Sequence, residues 1–196
     1  MLATPRTGPP LATAHDLAEY HAERERLYAA AVLLLDAAPD PRVLTAVRHL
    51  LRRDAAVVDP LKVALSDSRG ARAGDAYARL FEGAHPAIKL RCHTARWATH
   101  DEAFTAAGVP LSPDVRAELR ALAVLADRTA HALDDGDMSA AAALSDVQAR
   151  FLRHHAGACV SELAMDLIQS GEPFYLALGG TLAEQIAEDL RLLASD

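Results

Sequence analysis

The chain has 196 residues, 51% of them hydrophobic and 24% charged, with 27 acidic against 20 basic side chains and a formal net charge of −7. That length supports one domain with a sizeable core, and the acidic balance excludes a nonspecific grip on nucleic-acid phosphates as the main activity. Two cysteines, Cys92 and Cys159, are too few for a secreted disulfide scaffold and suit a reduced cytosolic protein.

Residues 1–12 are rich in Pro and Gly and are expected to be loose, with a single domain from 13 to 196. The start, "MLATPRTGPPLATAHD", has one Arg and no apolar core, so it does not read as an export signal. From Ala14, the residues Leu17, Tyr20, Leu27, Ala31, Leu34 and Leu35 recur at helical spacing. This helix contains the strongest apolar run, "LYAAAVLLL" at 27–35, which is far below the roughly 20 residues of a membrane span. A cytoplasmic protein without stable membrane insertion is expected.

"DAAPDP" stops the first helix. A second, Pro41 to Arg53, is expected to turn Leu44, Val47, Leu50 and Leu51 inward and Arg48, Arg52 and Arg53 outward. Residues 54–74 have room for one short helix. "AYARLFE" reads as another, with Asp75 as cap and Gly83 as stop. A long helix is expected over Leu90 to Ala107, and the next starts with Ser112 as N-cap, Pro113 at the first helical position and Asp114 in the first turn. A further helix runs from Ser139 to Gln169, and the last begins at Glu172-Pro173. Two readings of Gly179-Gly180 stand: a break restarted by the capping box Thr181–Glu184, or a close approach of a neighbouring helix. Ala, Leu, Arg and Glu dominate and no period-two pattern survives, so the fold class is all-α, a compact bundle of roughly seven to nine helices.

Chemistry-bearing motifs are sparse. No G-x-S-x-G elbow, Gly-rich phosphate loop or dinucleotide fingerprint occurs. In "FLRHHAGACVSELAMDL", the apolar stripe Leu144, Val147, Phe151, His155, Cys159, Leu163, Leu167 contains both His155 and Cys159. At i and i+4 these two can share a metal, but two ligands do not make a zinc site, and the other Cys-His pair, Cys92-His93, is far away in sequence. A buried, hydrogen-bonded histidine is the favoured reading, with no metal and no cofactor of the protein's own.

The order of four segments is more informative. "RERLYAAAVLLLDAAPDPRVLTAV" at 24–47 has an R-x-x-x-Y followed by a leucine run and a proline turn. "GDAYARLFEG" at 74–83, "FTAAGVPLSPDVRAELRALAVLADRTAHALDDGD" at 104–137 and "FLRHHAGACVSELAMDLIQSGEPFYLAL" at 151–178 follow it. In this order they resemble the E-Y-x-R-L-F-x-G, P-D-H and E-H-L-x-x-W…F-Y-x-x-L segments of the TorD/DmsD/NarJ-type redox-enzyme maturation chaperones. The likeness spans about residue 20 to 190. Departures are local: Pro113-Asp114-Val115 stands for P-D-H, and His154-His155-Ala156-Gly157-Ala158-Cys159 for E-H-L-x-x-W. "HPAIKLRCHT" keeps Pro86 but places Cys92-His93-Thr94 where the family has a P-x-Y-E-S-type segment. The chain thus resembles a divergent branch of that family.

The resemblance implies a non-enzymatic, cytoplasmic chaperone. Its partner would be the apo form of a molybdopterin oxidoreductase subunit, or that subunit's N-terminal twin-arginine leader, held until cofactor insertion and export. Within that reading a peptide groove is placed between 74–97 and the helix from Ser112, while core packing stands as the other reading of Tyr77, Phe81 and Trp97, and a structural role in the first turn of its helix as that of Asp114. Tyr77, Phe81, Pro86 and Trp97 would give apolar contact there, Asp114 and Glu118 would receive basic groups, and His93 and His155 would supply hydrogen bonds. Monomer and dimer are both compatible with such a bundle. Two other classes stand beside this reading: a metal-binding or catalytic helical protein, and an adaptor or regulator for another protein partner.

Overall fold

The computed structural model describes residues 13–51, 59–66, 69–82, 86–92 and 101–193, with no side-chain detail for 69–71. Among them are nine α-helices and no strand. In chain order these are α1 (Ala14–Asp36), α2 (Pro41–Leu50), α3 (Asp59–Ser66), α4 (Arg69–Phe81), α5 (Asp101–Ala107), α6 (Val115–Asp134), α7 (Met138–Phe151), α8 (Gly157–Gln169) and α9 (Pro173–Leu192). A one-turn π-helix, Leu152–Ala156, joins α7 to α8. The all-α expectation holds; residues 1–12, Arg52, Arg53, Gly83, His93 and Trp97 lie outside the described residues.

Local chemistry sets most of the helix ends. Thr13 and Asp16 form a reciprocal capping box at the start of α1. Asp40 caps α2 by accepting from the Arg42 and Val43 amides, with Pro41 in the first turn. Gly136, at φ 74°, makes the tight turn from α6 to α7.

α1 packs chiefly on α6, and α8 on α9. Leu27, Leu34, Leu35, Leu119, Leu122 and Leu125, all closed to solvent, form the α1–α6 seam of the core. Gly179 settles the α9 alternative in favour of close approach. The helix runs unbroken through both glycines, and a Cβ on Gly179 would lie 2.6 Å from the Ala164 carbonyl oxygen of α8. Thr181 donates to the Ala177 carbonyl within the helix and caps nothing.

Three expectations are corrected. α4 begins at Arg69, so Asp75 lies inside a helix and is no cap; the apolar face of Tyr77 and Leu80 continues back through Ala73 and Ala76. The helix expected from Leu90 to Ala107 is helical only over Asp101–Ala107 among the described residues. Leu90–Cys92 is extended, because Arg91 bridges Asp114 and the chain exchanges hydrogen bonds with the start of α6, from Cys92 to Pro113 and from Val115 to Leu90. The cap of α6 is Asp114, whose carboxylate accepts from the Arg116 amide; the Ser112 hydroxyl instead accepts from the Asp114 amide.

A polar cluster lies inside the apolar bundle. Arg24 of α1, fully buried, pairs with the fully buried Asp189 of α9 at 2.7–2.9 Å. Tyr20 and Tyr28 donate to the same carboxylate at 2.8 and 2.6 Å, and Gln185 donates to it at 2.6 Å. Arg24 also donates to Gln148 of α7, which in turn donates to Thr129 of α6. The R-x-x-x-Y spacing has its physical meaning here: at i and i+4, Arg24 and Tyr28 face the same acidic side chain.

Candidate functional site

The residues expected around a peptide groove take different positions. Tyr77 is buried, and its hydroxyl donates to the Leu35 carbonyl of α1 at 3.1 Å. Burial holds that hydroxyl above the ordinary tyrosine range. Phe81 is half-buried and sits between the rings of Tyr77 and Tyr175, with centroids 4.9 and 5.3 Å away. These rings join α4 to α9 as packing. Pro86 is half-buried on the segment that follows α4.

Asp114 is partly exposed and faces an open depression of about 220 Å³ at the start of α6. Asp36, Pro110, Ser112, Arg116 and Arg120 also line it. Both carboxylates of this depression are already paired inside the chain. Arg116 holds Asp114 through Nε at 2.9 and 3.0 Å and through NH2, while Arg120 lies 3.2 Å from Asp36. Leu111, between the lining residues Pro110 and Ser112, is 47% exposed.

Glu118 is not on a rim. One turn into α6 it points inward with no exposed surface, and its Oε1 lies 2.8 Å from His155 Nε2. Burial pushes its carboxyl above the usual carboxylate range, and the contact with His155 partly reverses the shift. Its second oxygen, Oε2, has no hydrogen-bond partner among the described residues.

The structure brings together residues that the sequence keeps apart. Cys92, on the extended segment held to the start of α6, is bonded to Cys159 of α8, with Cα atoms 5.3 Å apart across 67 residues. This corrects the reading of two reduced cysteines. His155 Nε2 lies 3.8 Å from Cys92 Sγ and 3.9 Å from Cys159 Sγ. Three chemically able side chains, Cys92, Glu118 and Cys159, therefore converge on the His155 ring nitrogen, and all four residues are buried.

Spacing within α8 and its π turn indicated only the His155–Cys159 half of this cluster. Cys92 enters through pairing of its segment with α6, and Glu118 enters because α6 packs on the π turn and α8. His154, next to His155, is exposed and outside it.

No helix among the described residues is long and apolar enough to cross a membrane. Compared with known proteins, the chain matches no family model, no curated protein and no solved structure.

Proposed function

We propose that this protein is a cytoplasmic, non-enzymatic chaperone, resembling the TorD/DmsD/NarJ type, that holds the leader or apo form of a molybdopterin oxidoreductase subunit during cofactor insertion and export. One observation carries the reading: the four segments bearing the resemblance meet one another, or the helix that continues from the fourth, inside the bundle. Arg24 and Tyr28 of the first meet Asp189 just beyond the fourth. Tyr77 and Phe81 of the second reach Leu35 of the first and Tyr175 of the fourth. Phe104 of the third packs edge-on against Phe151 of the fourth at 5.6 Å. A likeness confined to surface residues would carry no information about architecture; this one runs through the contacts that specify it.

Among the described residues, the depression at the start of α6 offers a leader both carboxylates and an exposed apolar side chain. Arg116 and Arg120 lie one turn apart and occupy Asp114 and Asp36, as two arginines of a leader would. Exchange of one arginine pair for another gives little net energy, about 0–1 kcal/mol per exposed ion pair. Affinity would then come from the leader's apolar stretch against Leu111 and its surroundings, and the carboxylates would set register.

The test is calorimetric titration of the full chain with a synthetic leader peptide carrying two adjacent arginines and an apolar stretch. Asp36→Asn combined with Asp114→Asn keeps the cap of α6, since Asn also caps. The variant is expected to bind about five- to thirty-fold more weakly, at roughly 0.5–1 kcal/mol per carboxylate, with an unchanged thermal transition. Equal affinity in the variant rejects this docking surface. A tagged chain that captures no molybdopterin oxidoreductase subunit from its native cell rejects the chaperone reading.

A further inference from the structure

We infer that Cys92, Cys159, His155 and Glu118 form a buried Zn²⁺ site in the reduced protein, closed when the two cysteines are joined. This inference goes beyond the chaperone reading and does not depend on it.

A disulfide needs only two sulfurs, and it explains neither the imidazole nor the carboxylate gathered at the same point. Both sulfurs lie 3.8–3.9 Å from His155 Nε2, and the ligand atoms of Cys92, His155 and Cys159 all fall within 4.8 Å of one another. In a tetrahedral zinc centre with Zn–S about 2.3 Å and Zn–N about 2.0 Å, sulfur and nitrogen stand about 3.5 Å apart. The cage is thus near the required size around the nitrogen, and the sulfurs need only separate from each other.

Glu118 supplies the fourth donor and the independent pointer to a cation. Its side chain is completely closed to solvent, one oxygen reaches the same Nε2 at 2.8 Å, and the other has no hydrogen-bond partner among the described residues. A buried carboxylate satisfied on one side only is costly. An ion that takes the place of the shared proton between His155 and Glu118 would engage the nitrogen, the carboxylate and both thiolates together. Two thiolates cancel the charge of Zn²⁺, and the remaining negative charge sits in the first turn of α6, at the positive end of that helix.

The site is also held in advance. Cys92 is fixed by the backbone bonds between its segment and the start of α6, while His155 and Cys159 sit one turn apart where the π turn meets α8. Thiolates with imidazole and carboxylate favour zinc over calcium or magnesium, which prefer all-oxygen cages.

The chemistry balances in two steps. A dithiol or phosphine reductant delivers two electrons to the Cys92–Cys159 bond, which takes up two protons to give two thiols and leaves the reductant oxidised. Zn²⁺ then displaces the two thiol protons and the proton shared between His155 Nε2 and Glu118, three in all, as it binds. Loading is therefore expected to depend on redox state and to release protons.

The full chain, stripped with a chelator and reduced with a phosphine, is titrated with Zn²⁺ against a chromophoric competitor and separately with Co²⁺. One equivalent of zinc should bind, and cobalt should give thiolate-to-metal charge-transfer absorption with the intense visible bands of a tetrahedral ion. The oxidised chain should take up none. Cys159→Ser and His155→Gln should abolish binding, and Glu118→Gln should weaken it at least about ten-fold. Should the variants fail to fold, the contrast between reduced and oxidised wild-type protein still decides the matter. Equal uptake by both redox forms, or reduced protein giving a cobalt spectrum without sulfur charge transfer, overturns the assignment.

Discussion

His21 shows how burial fixes a protonation state. It is 1% exposed and its Nδ1 lies 2.9 Å from an Arg24 nitrogen, so the ring must accept there and remain neutral. Burial first, and the Arg24 charge second, bring its pKa down to about 3 from an ordinary 6.5. Above pH 6.5 both folded and unfolded chains hold it neutral. Below that, the unfolded chain takes up a proton that the folded chain refuses, so stability falls with pH at up to about 1.4 kcal/mol per unit. The contribution is complete above 6.5 and is lost as pH falls toward 3. Glu118, raised instead of lowered, acts in the opposite sense, but equally in wild type and in a His21 variant. Urea unfolding at pH 7 and 5.5 should therefore show wild type losing about 1 kcal/mol more than His21→Gln. Parallel losses would mean that His21 protonates in place.

At the scale of the element, the two glycines of α9 are not equivalent. A Cβ on Gly179 would meet the Ala164 carbonyl oxygen at 2.6 Å and Leu167 Cβ at 2.9 Å, whereas around Gly180 there is nothing within 4 Å. Gly179→Ala must push α8 and α9 apart, at about 1–3 kcal/mol. Gly180→Ala should gain helix propensity, about 1 kcal/mol. Thermal unfolding should move in opposite directions for the two, by about 2–4 °C per kcal/mol at this chain length; two changes of the same sign would refute the close approach. The sequence alone left this choice open, because propensity is local and the Ala164 carbonyl belongs to another helix. Elements governed by local signals were legible: the proline stop after α1, the Asp40-Pro41 start of α2, and Pro173 at the head of α9. The π turn also left a trace. Phe151, His155, Cys159, Leu163 and Leu167 recur every four residues and all are buried, yet on a regular helix each such step drifts about 40°. The wider turn at Leu152–Ala156 absorbs part of that drift, and Gly157 admits it, since a Cβ there would lie 2.5 Å from the Leu152 carbonyl oxygen. At Leu90–Cys92 local composition favours helix, and the run is extended because it pairs with residues 113–115, which no local window contains.

Across the whole molecule, the parts hidden from the sequence are those set by topology. Half of the cysteine cluster was visible as a pair one turn apart in 155–159; Cys92 and Glu118 join it only when three separate parts of the chain meet. The Arg24–Asp189 cluster is hidden for the same reason, with 165 residues between its two charges. Its position at the junction of α1, α6, α7 and α9 makes it the place where the ends of the chain are registered against the middle. A buried ion pair of this kind contributes little net stability compared with apolar side chains of similar volume, because desolvation offsets the attraction. Removal of one partner is a different matter. Asp189→Asn leaves the Arg24 guanidinium charged, closed to solvent and facing an amide, and burial with the loss of its anion should cost about 3–5 kcal/mol. Tyr20, Tyr28 and Gln185 lose their charged acceptor in the same change. The paired replacement Arg24→Met with Asp189→Leu removes both charges and should be less damaging than Asp189→Asn alone, although it strands the two tyrosine hydroxyls. Urea denaturation of the three proteins at pH 7 decides the matter. A single variant within about 1 kcal/mol of wild type would show that the carboxylate is dispensable to the guanidinium. A double variant worse than the single would show that the pair provides net stability as well as register.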